Sequence, residues 1–210
     1  MRWPPRRRPP DINPRKDQQM TETFRTTLPL RRADDADPAV SGPLQAAQKA
    51  MGMVPNMYAA MANLPALLET YNFAYGKFRS EGGFTPVEQE VVLLAISRVN
   101  ECHYCVAAHS FVADAMSKVP TEVTDAIRAD QPIADAKLEA LRRFAATMTE
   151  SRGNPSPADA EAFLAAGYSE THILGIILAL SAKIISNYSN HIFHTEVDPA
   201  FAGRAWTPPA

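Results

Sequence analysis

The spacing of apolar residues along the chain is typical of helices. From Ser41 onward, proline or Ser/Thr/Asn recurs where a helix would begin, and glycine recurs where a helix would end. Alternating runs of β-branched residues, which would indicate strands, are scarce. The pattern therefore predicts an all-α fold, a compact multi-helix domain.

The clearest helix start lies at Thr85, where T-x-x-E ending at Glu88 forms a capping box and Pro86 takes the first helical position. This helix is predicted to run to about Asn100. The other short or medium helices are predicted over residues 41–52, 64–79, 102–117, 122–129, 133–150 and 157–166.

Ser169 is predicted to cap a final long helix that is apolar on most of its faces, and such a helix is expected deep in the core or in an oligomer interface. Its longest apolar run, 173–182, is closed by Lys183 and is well short of the roughly 20 residues that span a bilayer. We therefore expect no transmembrane helix. The apolar residues that indicate a central position are Leu174, Ile177, Leu178, Leu180, Ile184 and Ile185.

Composition adds little that is unusual. The 210 residues are 46% hydrophobic and 21% charged, which is typical of a folded protein that needs no disulfide or metal to bury a core. A net charge of -2 provides no overall field for nucleic acid or for acidic membranes. Small molecules or proteins are the expected partners, without nucleic acid and without a membrane.

Residues 1–20 form a Pro/Arg-rich tail with six basic and two acidic residues, so its charge is +4 and that of the remainder is -6. Such a segment is predicted to be disordered, preceding a single helical domain over 21–210. The tail could bind RNA or anionic lipid, or the compact protein could begin at Met20. No signal-peptide pattern is present, so we expect a cytoplasmic protein.

The candidate chemistry begins with the only two cysteines, Cys102 and Cys105, at the predicted start of a helix and followed by His109. Residues three and four apart share a helix face, so all three lie on one stripe. The helix N-terminus lowers a cysteine pKa toward the thiolate, and this argument alone favours Cys102, which is nearer the end. Two cysteines at this spacing can also close a disulfide.

Glu90 is the third candidate, because it lies on a helix that is apolar nearly all round. A buried carboxylate needs a partner, and His109 becomes available if the two helices pack as a hairpin. A Glu-His-Cys relay would result, although Glu90 could equally be a rim residue that reaches water. His103 is expected to be exposed, and Tyr104 is either a packing residue or a hydrogen-bond donor to the site.

Zinc binding is the rival interpretation of the cysteine pair. Structural zinc sites often add a second pair such as H-x3-5-H, and His191 and His194 could approach the thiols. However, only two residues separate these histidines, and His109 would compete as a ligand. The simpler interpretation of this segment is a polar helix end whose Asn and His side chains bond carbonyls or a neighbouring subunit.

The pattern Glu90, eleven residues, C-x-x-C over 102–105, three residues, His109 resembles the alkylhydroperoxidase D family within the carboxymuconolactone decarboxylase superfamily. The segments 187–191 and 195–198 resemble the peroxidase-related branch, so the similarity covers about 43–199 with its core motif at about 43–125. The resemblance implies an all-helical fold with the C-x-x-C at the start of a central helix. It also implies homo-oligomers and the thiol-dependent reduction of hydroperoxides.

Carried onto this chain, the resemblance implies that Cys105 attacks the peroxide and Cys102 resolves, with His109 as proton acceptor and Glu90 as its orienting group. An external dithiol would restore both thiols, and no cofactor is expected. Characterised peroxidase members carry histidine where this chain has Tyr104. The alternatives are a redox sensor that uses the same disulfide, a decarboxylase-type enzyme and a zinc-stabilised interaction protein.

Overall fold

The computed structural model describes residues 23–208, and this part of the chain contains helices and no strand, which confirms the all-α prediction. The tail predicted over residues 1–20 lies outside the described residues. The single-domain boundary stays a prediction. The helices are α1 Pro38–Met51, α2 Asn56–Met61, α3 Pro65–Glu81, α4 Pro86–Val99, α5 His103–Val112, α6 Thr121–Arg128, α7 Ala136–Glu150, α8 Pro157–Ala165 and α9 Glu170–Phe193; a π-helical turn covers Ala113–Ser117 and a 3-10 turn covers Pro199–Arg204.

The capping box predicted at the start of α4 is present. The Thr85 hydroxyl accepts from the Glu88 backbone N–H, while Glu88 Oε2 accepts from the Thr85 backbone N–H at 2.9 Å. Each side chain thereby satisfies an N–H that the first helical turn leaves free. The helix consequently begins at Pro86 and ends at Val99, within one residue of the prediction.

Three helix predictions were wrong in detail. The first helix begins at Pro38 rather than at residue 41. Asp37, not Ser41, is its N-cap, and the Asp37 side chain accepts from the backbone N–H of Ala39. Pro43 therefore lies inside α1. The seventh helix begins at Ala136 rather than at residue 133, because Asp135 provides its cap, and the six-residue α2 was not predicted.

The helix predicted over 102–117 also differs, because α5 ends at Val112 and continues as a π-helical turn. π-Helical turns are rare and are frequent at functional sites. This one has a consequence for the site, since it brings the hydroxyl of Ser117 to Glu90 Oε1 at 3.2 Å.

Two apolar clusters form the core. One joins α4 to α7, α8 and α9 and includes the stacked rings of Phe144, Phe163 and Tyr168. The other is built by α1, α2, α3 and α5 and includes both cysteines. The C-x-x-C therefore lies inside the second cluster, at the N-terminus of α5.

The final helix α9 packs along α3 and also contacts α2, α4, α5 and α7, so its predicted central position is correct. Three of its large apolar residues, Leu174, Ile177 and Ile184, are 65%, 49% and 44% exposed in the single chain. Small and polar residues occupy the inward face instead. At Gly175 a Cβ atom would collide with the carbonyl oxygen of Gly82, so only glycine permits this close approach. Burial of the apolar residues in an oligomer interface stays a prediction.

α9 is long and apolar enough to cross a membrane by length and composition alone, which the sequence reasoning did not anticipate. Three polar side chains, Lys183, Asn187 and Asn190, are nevertheless buried on its inward face against the other helices. This packing is that of a core helix in a bundle. The cytoplasmic location stays a prediction.

Candidate active site

The two thiols lie at the N-terminus of α5, where Cys102 is the N-cap residue and Cys105 belongs to the first turn. Their side chains are 0% and 2% exposed, and both are free thiols. The amide of Asn190 on α9 lies beside both sulfurs, with Nδ2 donating to Cys105 Sγ at 3.3 Å and approaching Cys102 Sγ at 3.8 Å. One amide group from α9 therefore contacts both sulfurs.

His109 follows one turn after Cys105, and its Nδ1 lies 3.1 Å from Glu90 Oε2. A carboxylate only accepts hydrogen bonds, so Nδ1 carries the proton and Nε2 has a free lone pair in the neutral ring. α4 and α5 thus pack as a hairpin that brings Glu90 and His109 together. The imidazole is oriented by the carboxylate in the manner of a general base.

Glu90 is fully buried and is paired on both oxygens. Arg79 Nη2 forms an ion pair with Oε1 at 2.6 Å, in addition to the bonds from Ser117 and His109. Burial alone would raise the pKa of Glu90, but the hydrogen bond and charge of His109 and the charge of Arg79 outweigh it and lower that pKa. Glu90 is therefore an anion at neutral pH.

Tyr75 supports this ion pair from the α3 side. Its hydroxyl accepts from Arg79 Nη2 at 2.6 Å, and its ring lies 6.2 Å from the ring of His109. Burial and the charge of Lys183 lower the pKa of His109, although Glu90 opposes this shift. His109 is consequently neutral at pH 7 and able to take up a proton.

The two thiols differ in acidity. Burial opposes the ionisation of Cys105, but the hydrogen bond from the Cys102 thiol and the charge of Lys183 outweigh it and lower the pKa of Cys105 well below its ordinary value. Interaction with the Cys105 sulfur and burial raise the pKa of Cys102. The structure thus favours Cys105 as the thiolate and Cys102 as the thiol, whereas the helix-dipole argument alone favoured Cys102.

Lys183, Asn187 and Asn190 lie at i, i+4 and i+7 on α9 and form one buried polar stripe. Asn187 Oδ1 accepts from the side chain of Asn100 at 2.8 Å. Lys183 Nζ and the side-chain oxygen Oδ1 of Asn190 have no hydrogen-bond partner within residues 23–208. The stripe that contacts the thiols through Asn190 therefore also contains buried polar atoms without hydrogen-bond partners.

The two residues named as supporting candidates have different positions. The Tyr104 hydroxyl donates to Asp198 Oδ2 at 2.5 Å, and Asp198 also accepts from the Asn56 backbone N–H. Tyr104 therefore anchors the segment after α9 through its hydroxyl. His103 is half-buried rather than exposed and lines a surface cavity.

That cavity has a volume of about 520 Å³, and Asn190 is the lining residue that also contacts the thiols. Asn190 lines it and also bonds the Cys105 sulfur, so this side chain separates the cavity from the buried pair. The remaining lining residues are Thr23, Phe24, His103, His191, Ile192 and His194. A small solute in the cavity is one side chain away from Cys105.

The described part of the chain does not bring three or more His, Cys, Asp or Glu side chains together in a group that could hold a metal ion. His191 and His194 line the cavity but do not complete a ligand set with the cysteines. The zinc interpretation therefore lacks the ligand geometry that it requires.

Sequence reasoning missed five residues of the site: Arg79, Tyr75, Ser117, Lys183 and Asn190. Only α9 offered a local signal, because Lys183 interrupts an apolar run and shares a helical spacing with Asn187 and Asn190. Arg79 and Ser117 reach Glu90 from α3 and from the π-helical turn, and nothing in the sequence around them indicates that contact.

Comparison with known proteins gives a consistent result. Residues 63–147 match the model of the carboxymuconolactone decarboxylase family. Comparison with curated proteins found no match.

Solved structures share the fold over most of the chain. An alkylhydroperoxidase AhpD core, peroxidase-related protein from Ralstonia eutropha JMP134 has a TM-score of 0.73 at 23% identity, covering 86% of this chain and 97% of that one. A peroxidase-related protein from Silicibacter sp. TM1040 has a TM-score of 0.71 at 22% identity, with 88% and 98% covered. The debrominase Bmp8 in complex with 2,3,4-tribromopyrrole has a TM-score of 0.70 at 16% identity, with 87% and 97% covered.

The debrominase shows that this fold carries more than one activity. The family match, which lies on α3 to α7, includes both cysteines, His109 and Glu90. The chain is therefore similar to the carboxymuconolactone decarboxylase family over residues 63–147, and it shares the fold of the two peroxidase-related structures over most of its length.

Proposed function

We propose that the protein is a thiol-dependent peroxidase that reduces organic hydroperoxides through a Cys102–Cys105 dithiol/disulfide cycle. The observation that carries the proposal is a pair of adjacent buried free thiols at the N-terminus of α5, followed one turn later by an imidazole that a buried carboxylate holds. A low-pKa thiolate is the nucleophile, and a neighbouring thiol can displace hydroxide from the sulfenic acid that it forms.

The cycle has three balanced steps. The Cys105 thiolate attacks the distal oxygen of the hydroperoxide, the O–O bond breaks, and Cys105 becomes a sulfenic acid while the alkoxide takes up a proton and leaves as alcohol. The Cys102 thiol then attacks the Cys105 sulfur, forming the disulfide and releasing water. An external dithiol reduces this disulfide by exchange and is itself oxidised.

His109 and Glu90 serve the second step. Cys102 is a weak acid in this environment, so its proton must be removed as the sulfur attacks. Neutral His109 accepts this proton at Nε2 and passes it to the departing hydroxide, while Glu90 stabilises the transient imidazolium through Nδ1. The proton and its charge thereby stay on the buried His109–Glu90 pair during this step.

Reductive dehalogenation is the second candidate, favoured by the fold shared with the debrominase. The same pair could remove a halogen from an organic halide, with the thiolate taking the halogen, the carbon taking a proton, and Cys102 displacing halide to form the disulfide. Both reactions consume two thiols per substrate. Parallel assays with tert-butyl hydroperoxide and a bromopyrrole therefore separate them by rate.

The decisive experiment measures intact mass and turnover. One equivalent of tert-butyl hydroperoxide should lower the mass of the reduced protein by two protons, and a dithiol such as dihydrolipoamide should support repeated peroxide consumption. Cys105→Ser should abolish consumption. Cys102→Ser should instead stop at a sulfenic acid that dimedone captures, which distinguishes the two sulfurs.

A single oxidation without turnover would overturn the peroxidase proposal in favour of a redox sensor, whose disulfide changes contacts rather than consuming substrate. Unchanged turnover in Cys105→Ser would remove that residue from its proposed role. A bromopyrrole consumed far faster than the peroxide would assign the site to dehalogenation.

A further inference from the structure

Lys183 is a lysine in the core, 0% exposed, at the centre of the polar stripe on α9. Its Nζ makes no regular hydrogen bond to any residue of the described chain. A buried ammonium without a neighbouring anion is costly, so the fold retains one here only if a negative charge compensates it.

Glu90 is not available for this purpose. Its two oxygens already bond Arg79, His109 and Ser117. Lys183 instead acts through its charge on both sulfurs and on His109, and Asn190 from the same helix face donates to Cys105 Sγ. Cys105 is therefore the group left to supply the anion. Besides Lys183, the titratable side chains that interact electrostatically with Cys105 are Tyr71, Tyr75, Cys102, Tyr104, His109 and His191.

We propose that Lys183 is the counter-ion of the Cys105 thiolate and the proton donor to the oxygen that leaves when this thiolate attacks. The proposal rests on the thiol peroxidase function and completes its first step. The S–O bond forms, the O–O bond breaks, and the alkoxide takes a proton from the Lys183 ammonium and leaves as alcohol. Lys183 is then a neutral amine beside a neutral sulfenic acid.

The rest of the cycle keeps this balance. Disulfide formation releases water and leaves the amine neutral, so oxidised protein holds no uncompensated ammonium in its core. Reduction by an external dithiol delivers two protons with two electrons. One proton stays on Cys102, and the other passes from Cys105 to Lys183, which restores the ion pair.

The first test measures the thiolate independently of peroxide. In a Cys102→Ser background, the rate of Cys105 alkylation by iodoacetamide is followed against pH. Lys183→Met, which nearly keeps the length of the side chain and removes its charge, should raise the pKa of Cys105 and slow alkylation at pH 7 by about tenfold or more, since each unit by which a thiol pKa rises above the pH lowers the thiolate fraction about tenfold. Lys49→Met, at an exposed lysine on α1, is the matched control and should change nothing.

The second test separates charge from proton donation. Lys183→Arg keeps a cation that does not deprotonate, so alkylation should stay near the wild-type rate while single-turnover peroxide reduction falls by about 10²-fold, the lower range for loss of a general acid. Wild-type rates of peroxide reduction in this variant would overturn the donor role. An alkylation profile unmoved in Lys183→Met would overturn the counter-ion role.

A third measurement uses the wild-type protein, so its result does not depend on whether a variant folds. In weakly buffered solution at pH 7, oxidation by one equivalent of tert-butyl hydroperoxide should take up no proton from solvent, because Lys183 supplies it. Uptake of one proton per disulfide would overturn the proposal. If Lys183→Met slows alkylation but the wild type consumes no peroxide, the peroxidase function fails while the ion pair remains.

Discussion

Two carboxylates on α4, Glu88 and Glu90, are two residues apart, both nearly inaccessible to solvent and both paired, yet they belong to different parts of the molecule. Glu88 bonds Thr85, Tyr168 and Lys137 at the helix start. Glu90 bonds groups from α3, α5 and the π-helical turn.

The pKa of each carboxyl is lowered despite burial, Glu88 by its bonds to Thr85 and Lys137 and Glu90 by His109 and Arg79. A lowered pKa therefore does not distinguish a capping group from a functional one. The hydrogen-bond partners distinguish the two carboxylates. His109, the partner of Glu90, has a second nitrogen that is free to exchange protons, whereas Glu88 only caps a helix and anchors Tyr168 and Lys137.

The largest difference between the surroundings of Glu90 and those of Glu88 should appear in turnover. His109→Asn removes the base beside Glu90 and should lower peroxide consumption by about 10²- to 10⁴-fold, the range for loss of a positioned general base. Tyr168→Phe removes the corresponding partner of Glu88 and should leave steady-state turnover with a dithiol unchanged. Equal losses in both variants would contradict the assignment.

The next difference concerns stability. Arg79→Met leaves Glu90 as a buried carboxylate without its cation and should cost roughly 3–5 kcal/mol in the free energy of unfolding. Lys137→Met removes a half-exposed cation from Glu88 and should cost about 0–1 kcal/mol. Urea denaturation measures both. Adding Glu90→Gln to Arg79→Met should recover much of the loss, and failure to recover would mean that arginine packing, not charge, is responsible.

A smaller effect is expected at the helix cap. Thr85→Ala removes the oxygen that accepts from the Glu88 backbone N–H and should lower the free energy of unfolding by about 1 kcal/mol without changing turnover. Thr85→Ser retains the hydroxyl and should restore most of this stability. A loss of turnover in Thr85→Ala would show that the groups around Glu88 are coupled to those around Glu90.

The smallest effect is a pH dependence. Because the folded pKa of each carboxyl is lowered below its ordinary value of 4.5, the stability that each contributes is present above that pH and is lost as the pH falls toward the folded pKa. Glu88→Gln and Glu90→Gln should each reduce the slope of unfolding free energy between pH 5 and 3, by a fraction of the roughly 1.4 kcal/mol per pH unit that one proton allows. Glu122→Gln, at an exposed carboxylate on α6, controls for net charge.

Much of the secondary structure could be predicted, because its signals are local. The capping box at Thr85 and the stop at Gly167 each involve residues within one turn, and helix spacing places Cys105 beside Cys102 and His109. The errors arose where two local signals compete, as at Asp37 against Ser41, or where the helix pattern continues through a π-helical turn.

The surroundings of the thiols could not be predicted in the same way. An apolar pattern on most faces of α9 predicts a central helix but does not say which face turns inward. In the structure, small and polar residues face inward, and the backbone at Gly175 approaches Gly82 closely. That orientation brings Lys183 and Asn190 to α5. It depends on contacts between residues more than 80 positions apart.

The amino-acid sequence by itself determined that the chain is helical and that two thiols, an imidazole and a carboxylate come within reach of one another, since caps and helical spacing act over a few residues. Only the tertiary structure gives the two sulfurs different surroundings. The acidity of a buried thiol depends on the charges packed around it, and α9 alone brings the ammonium of Lys183 and the amide of Asn190 to Cys105.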